Sequence, residues 1–138
     1  MRNFQTLDTS HNSTDNVEFF TKAADDDQPR LALRREGIYI TISASYGPME
    51  VALRPRYEEF VRALSKLSVV EGLHTTRQVG TGQAHLALGL TAEDDLLLRL
   101  TIVADATGHI SLNLRLTKPA RDTLYSWLNV PVNGSKAG

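Results

Sequence analysis

The chain has 138 residues, the size of one ordinary domain, and its 41% hydrophobic and 22% charged content is that of a folded globular protein. Fifteen Lys and Arg against sixteen Asp and Glu leave a net charge of −1, which excludes the broad positive field that drives charge-led binding to nucleic acid or membrane surfaces. With no cysteine, disulfide frameworks, zinc ribbons and thiol nucleophiles are excluded as well.

In chain order, residues 1–29 read as a polar, partly disordered leader. It holds one short strand candidate, "VEFFTK" at 17–22, and a loop at 23–29. The opening "MRNFQTLDTSHNSTDN" has no apolar signal-peptide core. No apolar run approaches the roughly 18 residues of a membrane helix, so the expected location is the cytoplasm. Residues 30–130 are expected to form a single α+β domain, and 131–138 have the composition of a flexible tail.

Within that domain the period-2 signal is strong. "RLAL" at 30–33 and the "RREG" turn supply a first strand, and Ile38, Ile40, Ile42, Ala44 and Tyr46 share one face of the next. Gly47-Pro48 turns, and Met49, Val51 and Leu53 resume the alternation. The period then lengthens: Tyr57, Phe60, Val61, Leu64 and Leu67 have helical spacing, with Pro55 placed in the first turn. A modest strand candidate at 73–79 follows. Strands at 83–91, 96–103 and 109–116 come next, each with alternating apolar residues, and then a helix N-capped by Thr117 with Ala120, Leu124, Trp127 and Leu128 as its buried stripe.

The scheme of an antiparallel meander closed by a helix thus occurs twice. "ITISASYGPMEVAL" at 40–53 answers "LTIVADATGHISLNL" at 100–114. The expected architecture is a curved or two-layer antiparallel sheet of six to eight strands with two amphipathic helices. Its core is expected to include Ile40, Ile42, Val51, Phe60, Leu64, Leu86, Leu88, Leu98, Leu100, Leu112, Leu114, Leu124 and Leu128.

Catalytic text is sparse. The histidines His11, His74, His85 and His109 show no paired metal-ligand spacing, so neither metal nor cofactor is expected. No serine stands in a nucleophile elbow. "GTGQAH" at 80–85 runs into a strand rather than the helix a phosphate-cradling loop needs. A non-enzyme is expected.

Two surfaces are candidates for binding. Arg34, Arg35, Arg54 and Arg56 with Tyr39 gather at one end of the first meander, where Glu36, Glu58 or Glu59 would neutralise part of the charge. On the second meander, pairing in sequence predicts three rows on the non-core face. They are His85–Thr101–Ser111, Ala87–Arg99–Asn113 and Gly89–Leu97–Arg115, with His109 on the same parity. A solvated face, or one covered by the N-terminal strand, is the plainer account of those rows.

The stretch "GTGQAHLALGLTAEDDLLLRLTIVADATGHISLNLRL", the closing "LYSWL" and the earlier "YEEFVRAL" together resemble WapI-like small immunity proteins of bacterial polymorphic toxin systems. That resemblance covers roughly residues 38–128 and rests on strand order and the Gly108-His109 pair. It implies a protein that neutralises a cognate toxin by protein–protein contact, with nothing catalytic to carry over. The strand-then-helix order is also similar to the Whirly-type single-strand DNA binders, which track the backbone with basic residues and stack bases on aromatics. That is the alternative function. A small-ligand or enzymatic site around His85, Arg99, His109 and Arg115 is the third. An exposed meander edge leaves a homodimer open.

Overall fold

The computed structural model describes residues 4–21, 28–69, 78–80, 83–105 and 108–130. Most of the loop expected at 23–29, His74, most of the strand expected at 73–79 and the tail at 131–138 lie outside those residues. The described residues form ten strands and two helices in two layers. One sheet has the order β1 (Gln5–Leu7), β10 (Gly108–Leu116), β9 (Leu96–Asp105), β8 (Ala84–Leu90), β7 (Gln78–Gly80). The other runs β2 (Thr9–Asn12), β3 (Asn16–Phe20), β4 (Arg30–Glu36), β5 (Tyr39–Tyr46), β6 (Met49–Leu53). Every pairing is antiparallel except β1 beside β10.

The sheets face each other through the apolar parity of each strand. β6 packs on β8, β9 and β10, β5 on β10, and β1 on β3. All thirteen core residues expected from the sequence are buried. The meander repeat extends further than the two matching hairpins. β3–β4–β5–β6 and β7–β8–β9–β10 are both sequential antiparallel runs, each followed by a helix, α1 (Tyr57–Ser65) and α2 (Lys118–Leu128). Each helix lies near the first strand of the other unit, α1 against β7 and α2 against β3.

Hairpin geometry follows from the turn residues. Glu36 pairs with Tyr39 around Gly37-Ile38, and Tyr46 pairs with Met49 around Gly47-Pro48. In both turns glycine takes the first central position, at φ +66° and +63°. Two-residue hairpins with this twist demand positive φ there, where any other residue would be strained.

The leader is the main correction. The strand candidate at 17–22 is present as β3, but residues read as polar and partly disordered before it also form β1 and β2, which is why the strand total is ten rather than six to eight. Among the apolar side chains of that region, Leu7, Val17 and Phe19 are completely buried, while Asn16 and Glu18 beside them face out. Composition averages over the segment, but burial acts on alternate positions. The chain crosses between layers at Asp8, whose N–H donates to Phe20 O at 3.1 Å.

Two helix-start expectations also change. Pro55 precedes the cap residue Arg56 rather than sitting in the first turn of α1. Its carbonyl accepts from Ile40 N–H at 2.9 Å, and Tyr39 bridges Arg56, so the β5–β6 ladder continues in register up to the helix. Thr117 does occupy the cap of α2, but its side chain makes no capping hydrogen bond.

Candidate protein-binding surface

The sequence-derived candidates divide between two separate faces. The first is the end of the β4–β5–β6 meander. Arg34 and Arg54 are exposed and share one carboxylate, Glu36, at 3.9 and 3.1 Å. The Arg54 guanidinium lies 4.7 Å from the Tyr39 ring centre, so both are held in place. Arg56 is exposed on the linker into α1. Ile38, expected on the core face with Ile40, is 60% exposed instead, because it occupies the second position of the turn and not a strand position. Beside it is a cavity of about 320 Å³ lined by Gly37, Ile38, Arg56, Tyr57 and Glu58. Apolar side chain, concavity, tyrosine and arginines thus adjoin.

Arg35 does not belong to this patch. Strand alternation turns it to the opposite side from Arg34, against the end of α2. Its guanidinium is 4.5 Å from the Trp127 ring centre and 5.6 Å from that of Tyr57, and it donates to Trp127 O. Tyr57 Oη donates to Leu128 O, and Trp127 Nε1 donates to Ser13 O at 2.9 Å. Three side chains from β4, α1 and α2 therefore close the carboxyl end of α2 onto the β2–β3 turn. Cations suit that end of a helix, where carbonyls lack partners. Sequence spacing shows parity but not which apolar or helical element awaits a charged residue, so this clamp was not legible.

The second face is the outer side of β8–β9–β10. The three predicted rows are all present in the register: His85–Thr101–Ser111, Ala87–Arg99–Asn113 and Gly89–Leu97–Arg115. They are mostly paired among themselves. Thr101 and Ser111 hydroxyls lie 3.1 Å apart, Arg99 Nε donates to Asn113 Oδ1 at 2.7 Å, and Arg115 Nε donates to the buried Asp95 at 2.7 Å. Among the described residues, the N-terminal strand pairs at the β10 edge, and Phe4 lies 6.0 Å from the Arg99 guanidinium. Thr101, Ala87 and Leu97 are buried, and His85 Nδ1 is buried without a hydrogen-bond partner. His109 is exposed and pairs across with Val103. Apart from His85, most polar groups here satisfy one another, which leaves less to offer a ligand than the Ile38 end does.

A third feature was missed by sequence reasoning. On the outer face of the other sheet, Ala32, Ser43 and Ser45 form the floor of a cavity of about 110 Å³, walled by Glu18, Phe20, Arg30 and Glu50. Small residues at adjacent register positions in β4 and β5 leave that trough, and only the pairing reveals that they adjoin.

Among the described residues, one titratable group is strongly perturbed. Burial pushes the Tyr125 phenol up to about 12, with the Arg121 charge opposing and Asp122 adding to the rise. Its hydroxyl donates to Leu64 O at 3.3 Å, joining α2 to α1. The protonated form is favoured in the fold, so this stabilisation is complete below pH 10, the unfolded value, and is lost as pH rises to about 12. A shift of that size corresponds to about 2–3 kcal/mol. Tyr125→Phe is expected to flatten the alkaline fall in stability across that window, read from urea midpoints at a series of pH values.

Among the described residues, no three His, Asp or Glu come together as a metal site. No protein-family model matches the chain, and no curated protein or solved structure is significantly similar to it.

Proposed function

We propose that this is a non-enzymatic binding protein that recognises a protein partner through the Ile38 surface, in the manner of immunity proteins that neutralise a cognate bacterial toxin. The observation that carries the reading is Ile38, a large apolar side chain left 60% exposed beside a 320 Å³ concavity and set among Arg34, Arg54, Arg56 and Tyr39. Protein interfaces concentrate their affinity in such places, where an apolar centre is ringed by arginine and tyrosine. The WapI-like strand order supports the toxin-neutralising class. The partner would present an acidic rim to the arginines and an apolar knob to the cavity.

The test is isothermal titration of the full chain with a candidate toxin partner, comparing the parent with Ile38→Asp. A hot-spot residue is worth about 2 kcal/mol or more, so the variant should bind at least about 30-fold more weakly while keeping the parent's circular dichroism. Equal affinity for parent and variant would remove the Ile38 surface from the proposal.

Single-strand nucleic-acid binding is the second reading, favoured by the cluster of three exposed arginines with Tyr39. It requires affinity that falls steeply with salt. The Arg54 guanidinium already lies over the Tyr39 ring, and Glu36 offsets two of the arginines, both of which weigh against base stacking there.

A further inference from the structure

Sheets expose their edges, and among the described residues there are four: β1, β7, β2 and β6. β1 and β7 have three residues each, and β2 has four, all polar. β6 is the longest, with the sequence Met49-Glu50-Val51-Ala52-Leu53, and its pairing with β5 continues through Arg56. Among the described residues, no backbone group of 49–53 bonds to any strand other than β5. Val51 and Leu53 are buried against the facing sheet, while Glu50, Ala52 and Arg54 point to the outer face. A strand of this kind is a template for another strand.

We propose that β6 pairs antiparallel with β6 of a second copy of this chain, with the two Ala52 residues facing each other across the two-fold axis. This register makes the strand complementary to itself along its whole length. It sets Glu50 of each copy opposite Arg54 of the other, twice, on the outer face. On the inner face it sets Val51 opposite Leu53, also twice, so the apolar layer runs unbroken from one copy to the next. Centring on Val51 would instead put Glu50 opposite Ala52 and leave Arg54 without an acid. Centring on Leu53 would put Arg54 opposite Ala52 and again leave it without an acid.

Charged residues on an edge ordinarily block pairing because like charges meet. Here the two-fold brings opposite charges together, and directly opposed pairs of opposite sign stabilise antiparallel strands. Ala52 at the axis keeps the approach unobstructed. Isologous two-fold dimers are the commonest closed assembly, and this one joins two five-stranded sheets into ten strands and leaves no β6 edge exposed.

Light scattering on the full chain across a concentration series tests the register. The parent is expected to be dimeric at micromolar concentration. Glu50→Arg and Arg54→Glu, each alone, should weaken the dimer at least about 10-fold, since each places like charges opposite one another. Mixing the two variants should restore dimers, because every facing pair then has opposite signs; the double variant should dimerise as well. Restored pairing also shows that both single variants are folded. A monomeric parent at 100-micromolar concentration, on the order of ten times the working range, would overturn the proposal. So would single variants that dimerise like the parent, or a mixture that stays monomeric.

Discussion

Arg35→Ala is expected to unfold about 10 °C below the parent, a loss of about 3 kcal/mol. The figure combines a hydrogen bond from a charged group, worth about 1.5–3 kcal/mol, with cation–π contacts to two rings, worth about 0.5–2 kcal/mol. The guanidinium lies 4.5 Å from Trp127 and 5.6 Å from Tyr57, and it satisfies the Trp127 carbonyl at the end of α2. Removing it leaves that carbonyl without its donor and Trp127 without one packing face. Arg35→Lys should recover only part of the loss, because an ammonium cannot lie flat between two rings. Thermal unfolding followed by Trp127 fluorescence checks both variants, since this is the only tryptophan in the chain.

Phe60→Ala is expected to cost about 4 kcal/mol, the range for emptying a fully enclosed aromatic site. The helix α1 has only two fully buried side chains, Phe60 and Leu64, so its attachment depends on them. The same helix positions Tyr57 and Glu58 in the wall of the Ile38 cavity. Loosening it therefore acts on stability and on the candidate surface together. Hydrogen exchange should show the α1 amides losing protection before those of β9, which is the centre of its sheet. Equal loss in both elements would mean that α1 and the sheets open only as one unit.

Much of the domain was legible in the residues. Alternation located the strands, and the two turns between β8, β9 and β10 fixed their register, so the row His85–Thr101–Ser111 follows from counting. The change of period at Tyr57 marked α1 within two residues. What escaped had long-range causes. Gln5–Leu7 is too short and polar to look like a strand; it becomes one because β10 offers an edge beside it. Ile38 has the parity of a core residue but sits in a two-residue turn, where parity no longer dictates direction. Arg34 and Arg35 are neighbours in sequence, yet alternation sends one to solvent with Glu36 and the other into an aromatic clamp. The ten candidate residues consequently separate into an exposed arginine–tyrosine patch, a half-buried structural arginine and a largely self-satisfied polar face.

Recognition at Ile38 is the central claim, and isoleucine methyl NMR addresses it most directly. The chain has five isoleucines, Ile38, Ile40, Ile42, Ile102 and Ile110. Ile38 and Ile110 are both exposed, one at the β4–β5 turn and the other on β10 of the opposite sheet. On titrating the full chain with the toxin partner proposed above, the Ile38 methyls should shift or broaden first and most, while Ile110 stays in place. An unmoved Ile38 beside a shifting Ile110 would place recognition on the other sheet and contradict the account.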